Sequence, residues 1–207
     1  MAQIASQRVD TVWRHVSGAE LDTLYQGGES LTAALPTVSA VYMWKLRLAD
    51  ESLVTYDPSA TLRKIIKLAK IPQGRSQPIR ASHGLVNLGI EICGSGLPSF
   101  KQKVLSKFLA EKQNNRWMIN YLRDLEKHLP TLYVGETGNL PQRAREHLAG
   151  LTDFGQAITR EPQLGWSDLN FYYANLGPES STESQLRKAV EYVTAVLTVS
   201  AYTQRPG

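Results

Sequence analysis

The sequence predicts an α+β fold: a small three-stranded sheet with flanking helices, preceded by N-terminal helices and interrupted by a mainly helical insertion between the first and second strands. Three observations predict it. Val38 to Leu46 is a run of β-branched and aromatic residues, as a strand requires. Thr131 to Gly135 and Ser167 to Ala174 are two further strand-like runs, each followed across a glycine or proline break by apolar residues at helical spacing. Between the first and second of these runs lies a long segment with helical periodicity and a charge balance of its own.

In chain order, residues 2 to 16 and 19 to 25 carry apolar residues at helical spacing (Ile4, Val9, Val12, Trp13, Val16, then Leu21, Leu24, Tyr25), with Gly18 and Gly27-Gly28 as stops. Two short helices are therefore expected before the first strand, which ends by about Asp50. Asp57-Pro58-Ser59 sets a helix start, and the pattern continues from Ala60 to Lys70 as a basic amphipathic helix. Pro72 to His83 reads as a loop, Leu85 to Cys93 as a short apolar segment, and Pro98 to Gln113 and Asn115 to His128 as two more helices. After the second strand, Asn139 is an N-cap with Pro141 just inside a helix that runs to Gly150. Gly177-Pro178 separates the third strand from a last helix, Ser181 to about Val199. The expected division is a helical N-terminal extension (1–36), a first core piece (37–57), the insertion (58–130) and a second core piece (131–207).

At 207 residues, with 42% hydrophobic and 20% charged residues, the chain sits near globular averages, which excludes a disordered or fibrous protein. Apolar runs such as Ala189 to Val199 fall short of the roughly 20 residues that cross a bilayer. The start MAQIASQRVD lacks the pattern of a secretory signal, so a cytoplasmic location is expected. Cys93 is the single cysteine, which leaves no internal disulfide and no cysteine-based zinc site. Charge is unevenly spread: residues 58 to 130 hold 13 Lys and Arg against 4 acids, a balance of +9, and the remainder is −5. Such a block reads either as a polyanion-binding lobe or as a solvated helical face.

Candidate chemistry gathers between residues 131 and 147. Arg143 and His147 stand four apart, so both project from one face of their helix. The preceding strand brings Tyr133 to the end where that helix begins. A guanidinium, an imidazole and a phenol converging on one point suit a phosphodiester, because arginine forks onto phosphate oxygens while histidine and tyrosine relay protons. Spacing alone is that of ordinary surface helices, on which such a pair usually means nothing.

The string from Tyr133 to His147 (YVGETGNLPQRAREH) resembles the second half of the GIY-YIG nuclease signature, with Tyr133, Gly135, Thr137, Asn139-Leu140, Arg143 and His147 in register. Ala40-Val41-Tyr42 resembles the first half with alanine for glycine. Glu191, twelve residues before Thr203, matches the family's acidic residue on the final helix, with Glu183 as the rival. The chain departs from the family in three places. Tyr133 stands 91 positions after Tyr42 rather than across a short hairpin, Glu136 follows the glycine, and Thr203, with no proline before it, stands where the family has asparagine.

The resemblance implies a metal-dependent endonuclease hydrolysing DNA phosphodiester bonds, with Tyr42, Tyr133, Arg143, His147 and Glu191 as its catalytic residues. Glu191 would hold Mg²⁺ or Mn²⁺, and Arg143 would clamp the scissile phosphate. Tyr42 would take the proton of the attacking water with His147 as relay, and Tyr133 would orient water or phosphate. For Tyr42 the alternative is a strand tyrosine packed in the core. The expected partner is double-stranded DNA, with no membrane and a homodimer left open. The basic insertion would supply the contacts through Arg75, Arg80, Lys101, Lys103, Lys107 and Arg116, as in a restriction or defence enzyme that reads a site. The competing classes are a mobile-element or repair nuclease recognising DNA structure, and a catalytically silent nucleic-acid-binding module. His15, His83 and His128 receive no role. Trp13, Trp44 and Trp166 are expected in the core, with Trp117, inside the basic segment, as the exception.

Overall fold

The computed structural model describes residues 12–49, 57–69, 79–83, 86–90, 96–162, 164–176 and 184–198, with 79–83 and 86–90 described by their backbone. The strands are β1 (Trp13–Ser17), β2 (Ala40–Leu46), β3 (Ile79–His83), β4 (Val86–Ile90), β5 (Thr131–Thr137) and β6 (Leu169–Asn175). The helices are α1 (Gly18–Gln26), α2 (Pro58–Leu68), α3 (Ser99–Leu109), α4 (Lys112–His128), α5 (Leu140–Leu148), α6 (Asp153–Arg160) and α7 (Ser184–Thr198). Four strands form one antiparallel sheet in the order β1-β6-β2-β5, and β3 and β4 pair as a separate hairpin.

The α+β class and the pairing of the three expected strands hold, but the sheet has four strands rather than three. The difference is at the N-terminus. Trp13–Ser17 is a strand, not the end of a helix over residues 2 to 16, and it pairs antiparallel with β6 from Trp13↔Ala174 to Ser17↔Asn170. Val12, Trp13 and Val16 fit a helical period, yet they are also good strand residues, and the open edge of β6 decides between the two. Residues 1–11 of that expected helix lie outside the described residues. Ser17 then accepts from the Glu20 amide and caps α1, so Gly18 opens a helix instead of closing one. A side chain at Gly18 would run into the Trp166 carbonyl, which explains the glycine. The N-terminal segment is thus built into the sheet and its core rather than appended to them.

One face of the sheet carries the main core. Ala40, Tyr42 and Trp44 alternate inward along β2 and join Phe171 and Tyr173 of β6, Leu21 of α1, Leu140, Ala144 and Leu148 of α5, and Phe154 and Ile158 of α6. The opposite face carries α7 and the end of α4. Thr131 of β5 donates to Thr198 of α7 at 2.9 Å. On α4, the buried Glu126 accepts from the Leu48 amide at 2.9 Å and from Asn170 at 2.7 Å.

The insertion leaves the sheet after β2 and returns at β5, its immediate neighbour. It is anchored by Asp168, a buried carboxylate that accepts from Lys64 (3.0 Å) and Lys67 of α2 and from the Gly165 amide. Burial opposes the charge on Asp168, but the bonds from Lys67, Gly165 and Lys64 outweigh it and hold the carboxyl below its ordinary range. Two lysines of the basic block therefore neutralise the core, and Lys127 likewise pairs with Asp124. The stretch expected as a loop up to His83 contains β3, because short alternating runs on either side of Gly84 can pair with each other. Helix α6, which no sequence feature singled out, starts where Thr152 accepts from the Gly155 amide.

Candidate functional site

The site begins at a cross-strand pair. Tyr42 on β2 lies opposite Gly135 on β5, and a Cβ at Gly135 would overlap both the Tyr42 hydroxyl and the Tyr133 ring. Glycine here makes room for two tyrosines on one face of the sheet, 6.1 Å apart between ring centres. Instead of turning at Gly135, β5 continues to Thr137, whose hydroxyl exchanges hydrogen bonds with the backbone of Asn139. Asn139 in turn accepts from the Gln142 amide and starts α5, with Pro141 in its first turn. This cap fixes the direction in which Arg143 and His147 leave the helix.

Both side chains reach Tyr42. Arg143 Nε donates to the Tyr42 hydroxyl oxygen at 3.1 Å, and His147 Nε2 lies 2.9 Å from the same oxygen. His147 Nδ1 is 2.6 Å from the Thr152 hydroxyl, which already accepts from Gly155. Protons assigned from these partners put the Tyr42 O–H toward Nε2 and the imidazole N–H on Nδ1 toward Thr152. Tyr133 completes the cluster, with its ring 5.2 Å from His147 and stacked on Phe154 at 4.8 Å.

Burial sets the charge states. Tyr42 and His147 are both fully buried, at 0% exposure. Burial first, and Tyr133 next, push the Tyr42 pKa well above the ordinary tyrosine value. Burial and the Arg143 charge lower His147 to about 3. At neutral pH the phenol keeps its proton and the imidazole is neutral, so a proton passed from Tyr42 to His147 would be disfavoured at both ends. Burial also works against the charge on Arg143, but the Tyr42 oxygen, Glu146 and Tyr133 more than offset it and its pKa rises. Arg143 is a fixed cation, held by Tyr42 on one side and by Glu146 at 2.7 Å on the other.

Of the cluster, Arg143 lines a cleft of about 440 Å³ at the β5 edge of the sheet, with Glu136, Gly138, Asn139, Glu146 and Arg187 among its other walls, whereas Tyr42, Tyr133 and His147 lie behind it. Glu136 lies on the sheet face opposite Tyr133 and pairs with Arg187 of α7 at 2.8 Å. Glu191 stands four residues beyond Arg187 on α7, so it shares that helix face. Its carboxyl pKa is raised by burial and by the neighbouring Glu136, against the opposing pull of Arg143 and Lys188. A carboxyl whose charge is disfavoured by burial and by a neighbouring carboxylate is a setting that a hard divalent cation would relieve. Mg²⁺ in particular binds through one or two carboxylates while keeping several waters. Among the described residues no group of three or more His, Cys, Asp or Glu is arranged around a metal position.

Tyr42, Tyr133, Arg143 and His147 therefore converge, and Glu191 stands close enough to feel Arg143 and Glu136. Glu183 lies outside the described residues. Sequence reasoning missed Glu136, Glu146, Arg187 and Thr152. Of these, Glu146 carried a signal, standing three residues after Arg143 on the same helix. Of the basic candidates, Lys101, Lys103, Lys107 and Arg116 are exposed on α3 and α4. Arg80 is placed only by its backbone on β3, and Arg75 lies outside the described residues. No described helix is long and apolar enough to cross a membrane. Compared with family models, with curated proteins and with solved structures, the chain matches none, so its likeness to the GIY-YIG nucleases rests on the residues described above.

Proposed function

We propose that the protein is a divalent-metal-dependent endonuclease that hydrolyses DNA phosphodiester bonds in the cleft at the β5 edge. One observation carries this reading: residues 42, 133, 143 and 147, chosen from two separated motifs, meet in one hydrogen-bonded cluster beside Glu191. A chance motif match would have no reason to bring Tyr42 within bonding distance of both Arg143 and His147.

Arg143 is the group suited to the scissile phosphate, being a fixed cation at the cleft wall whose charge could offset that developing on the phosphoryl oxygens. Glu191, with Glu136 beside it, would hold the cation, which when bound supplies phosphoryl polarisation and lowers the pKa of water. The buried Tyr42 and His147 are assigned to hold Arg143 in place, a narrower role than the proton relay that the resemblance implies. Tyr133, only partly buried, is the tyrosine that could orient a phosphate or water. The exposed lysines and arginine of α3 and α4 are proposed to contact DNA, as expected of a restriction or defence enzyme.

The test is plasmid DNA incubated with Mg²⁺, with Mn²⁺ and with chelator. Metal-dependent cutting that Glu191→Gln abolishes supports the reading, and discrete bands would assign sequence recognition. Cutting that persists in chelator, or that Glu191→Gln leaves intact, overturns the metal assignment.

A further inference from the structure

Away from the cleft, the outer face of the α3–α4 hairpin is unusually apolar. Phe100, Val104 and Phe108 stand four apart on α3, and Trp117, Tyr121 and Leu125 four apart on α4, so each set forms a row along its helix. All six are exposed, Phe100 by 63% and Trp117 by 55%. The rows meet at the turn, where Phe108 sets its edge against Trp117 at 6.1 Å. Trp117 then stacks on Tyr121 with centroids 5.3 Å apart and planes within 10°. Exposed aromatic rows on a folded chain mark an interaction surface.

Charge identifies the occupant. Exposed Lys101, Lys103 and Lys107 run beside the α3 row, and exposed Lys112, Arg116 and Arg123 beside the α4 row. Lys101 Nζ lies 5.9 Å from the centre of the Phe100 ring. The exposed acids of this hairpin are Glu111 and Asp124, and Asp124 is bonded to Lys127. A second copy docked on this face would set cations against cations. A bilayer surface would favour a broad apolar face, whereas these rings form a narrow ridge between charged residues. Unpaired nucleotides match both features, offering a phosphate for each cation and an aromatic face for each ring.

We propose that the α3–α4 ridge binds single-stranded nucleic acid, with bases extending the Trp117–Tyr121 stack and phosphates held by Lys101, Lys103, Lys107 and Arg123. Resting on the nuclease reading, the inference makes the preferred substrate one that carries unpaired nucleotides in addition to the scissile bond. A nuclease directed by such a ridge recognises DNA structure as much as DNA sequence.

The experiment measures the affinity of the full chain for a labelled oligothymidylate of about 12 nucleotides, within the ~4–16 nucleotide range of single-strand sites. A blunt duplex and inorganic polyphosphate serve as competitors. Trp117→Ala should weaken oligothymidylate binding by between about 5-fold and about 100-fold, the loss of one base stack. Trp117→Phe should recover part of that, while polyphosphate binding stays within about twofold because the cations remain. Lys101, Lys103 and Lys107 replaced together by alanine should weaken all three ligands. Unchanged oligothymidylate binding in Trp117→Ala overturns the proposal, as does equal loss for polyphosphate. So does a Trp117-dependent shift in sedimentation, which would assign the ridge to a second copy, or Trp117-dependent binding to vesicles rich in phosphatidylserine but not to oligothymidylate, which would assign it to lipid. Cutting is scored separately on the same samples: Trp117-dependent binding without cleavage sinks the nuclease reading and leaves the ridge, and the converse does the opposite.

Discussion

The fully buried His147 should make the protein acid-labile in a way that a single substitution can isolate. Its pKa is lowered from 6.5 to about 3, first by burial and then by Arg143. A group whose folded pKa is depressed remains neutral in the fold while the unfolded chain takes up the proton. Stability is therefore lost as pH falls from about 6.5 toward about 3. Between about pH 8 and about pH 5 the unfolded chain gains roughly 2 kcal/mol of proton binding at this residue that the folded chain does not. For a chain of this size that corresponds to a fall in Tm of about 4–8 °C. The assay is thermal unfolding from pH 8 to pH 5 for the natural protein and for His147→Gln, which removes the titration and keeps a polar side chain. Other groups titrate alike in both, so the difference in slope belongs to His147. Parallel slopes would mean that the imidazole takes up protons normally in the fold, and a proton relay from Tyr42 would again be open.

Two further outcomes follow from the buried contacts. Tyr42→Phe leaves His147 Nε2 buried without its partner and costs about 1–3 kcal/mol, read as a fall in Tm of ~2–4 °C per kcal/mol; an unchanged Tm would deny the hydrogen bond. Asp168→Ala removes the carboxylate shared by Lys64 and Lys67, which costs about 3–5 kcal/mol for a buried pair; limited proteolysis should then cut within residues 58–130, and an unaltered digest would mean α2 is held by other contacts.

Much of the site was legible because it lies within regular elements. A cap at Asn139, a helical repeat from Arg143 to His147 and two strands bearing Tyr42 and Tyr133 are local properties, and local properties survive folding. Glu136 and Arg187 were not legible for a geometric reason: alternation along β5 sends Glu136 to the α7 side, and only the packing of α7 on β5 reveals what it meets. The N-terminal strand was misread because a five-residue segment with a tryptophan and a valine three apart satisfies both periods, and only the vacant edge of β6 selects one. The charge of the insertion was misjudged in part for a similar reason. Lys64 and Lys67 look like polyanion-binding residues in sequence, yet they face Asp168 from a helix 104 and 101 residues away in the chain. Nothing in either local stretch indicates the other.

The central claim is that Arg143 acts on the transition state in the cleft while the exposed cations of α3 and α4 supply affinity. Its most direct test is Arg143→Ala, with DNA cleavage and DNA binding measured on the same preparation. The account predicts a loss of cleavage of about 10²–10³-fold, the effect of removing one well-placed donor. Binding should stay within about threefold, because the phosphate contacts elsewhere are untouched. Cleavage at the natural rate, or binding and cleavage lost in equal proportion, would contradict it.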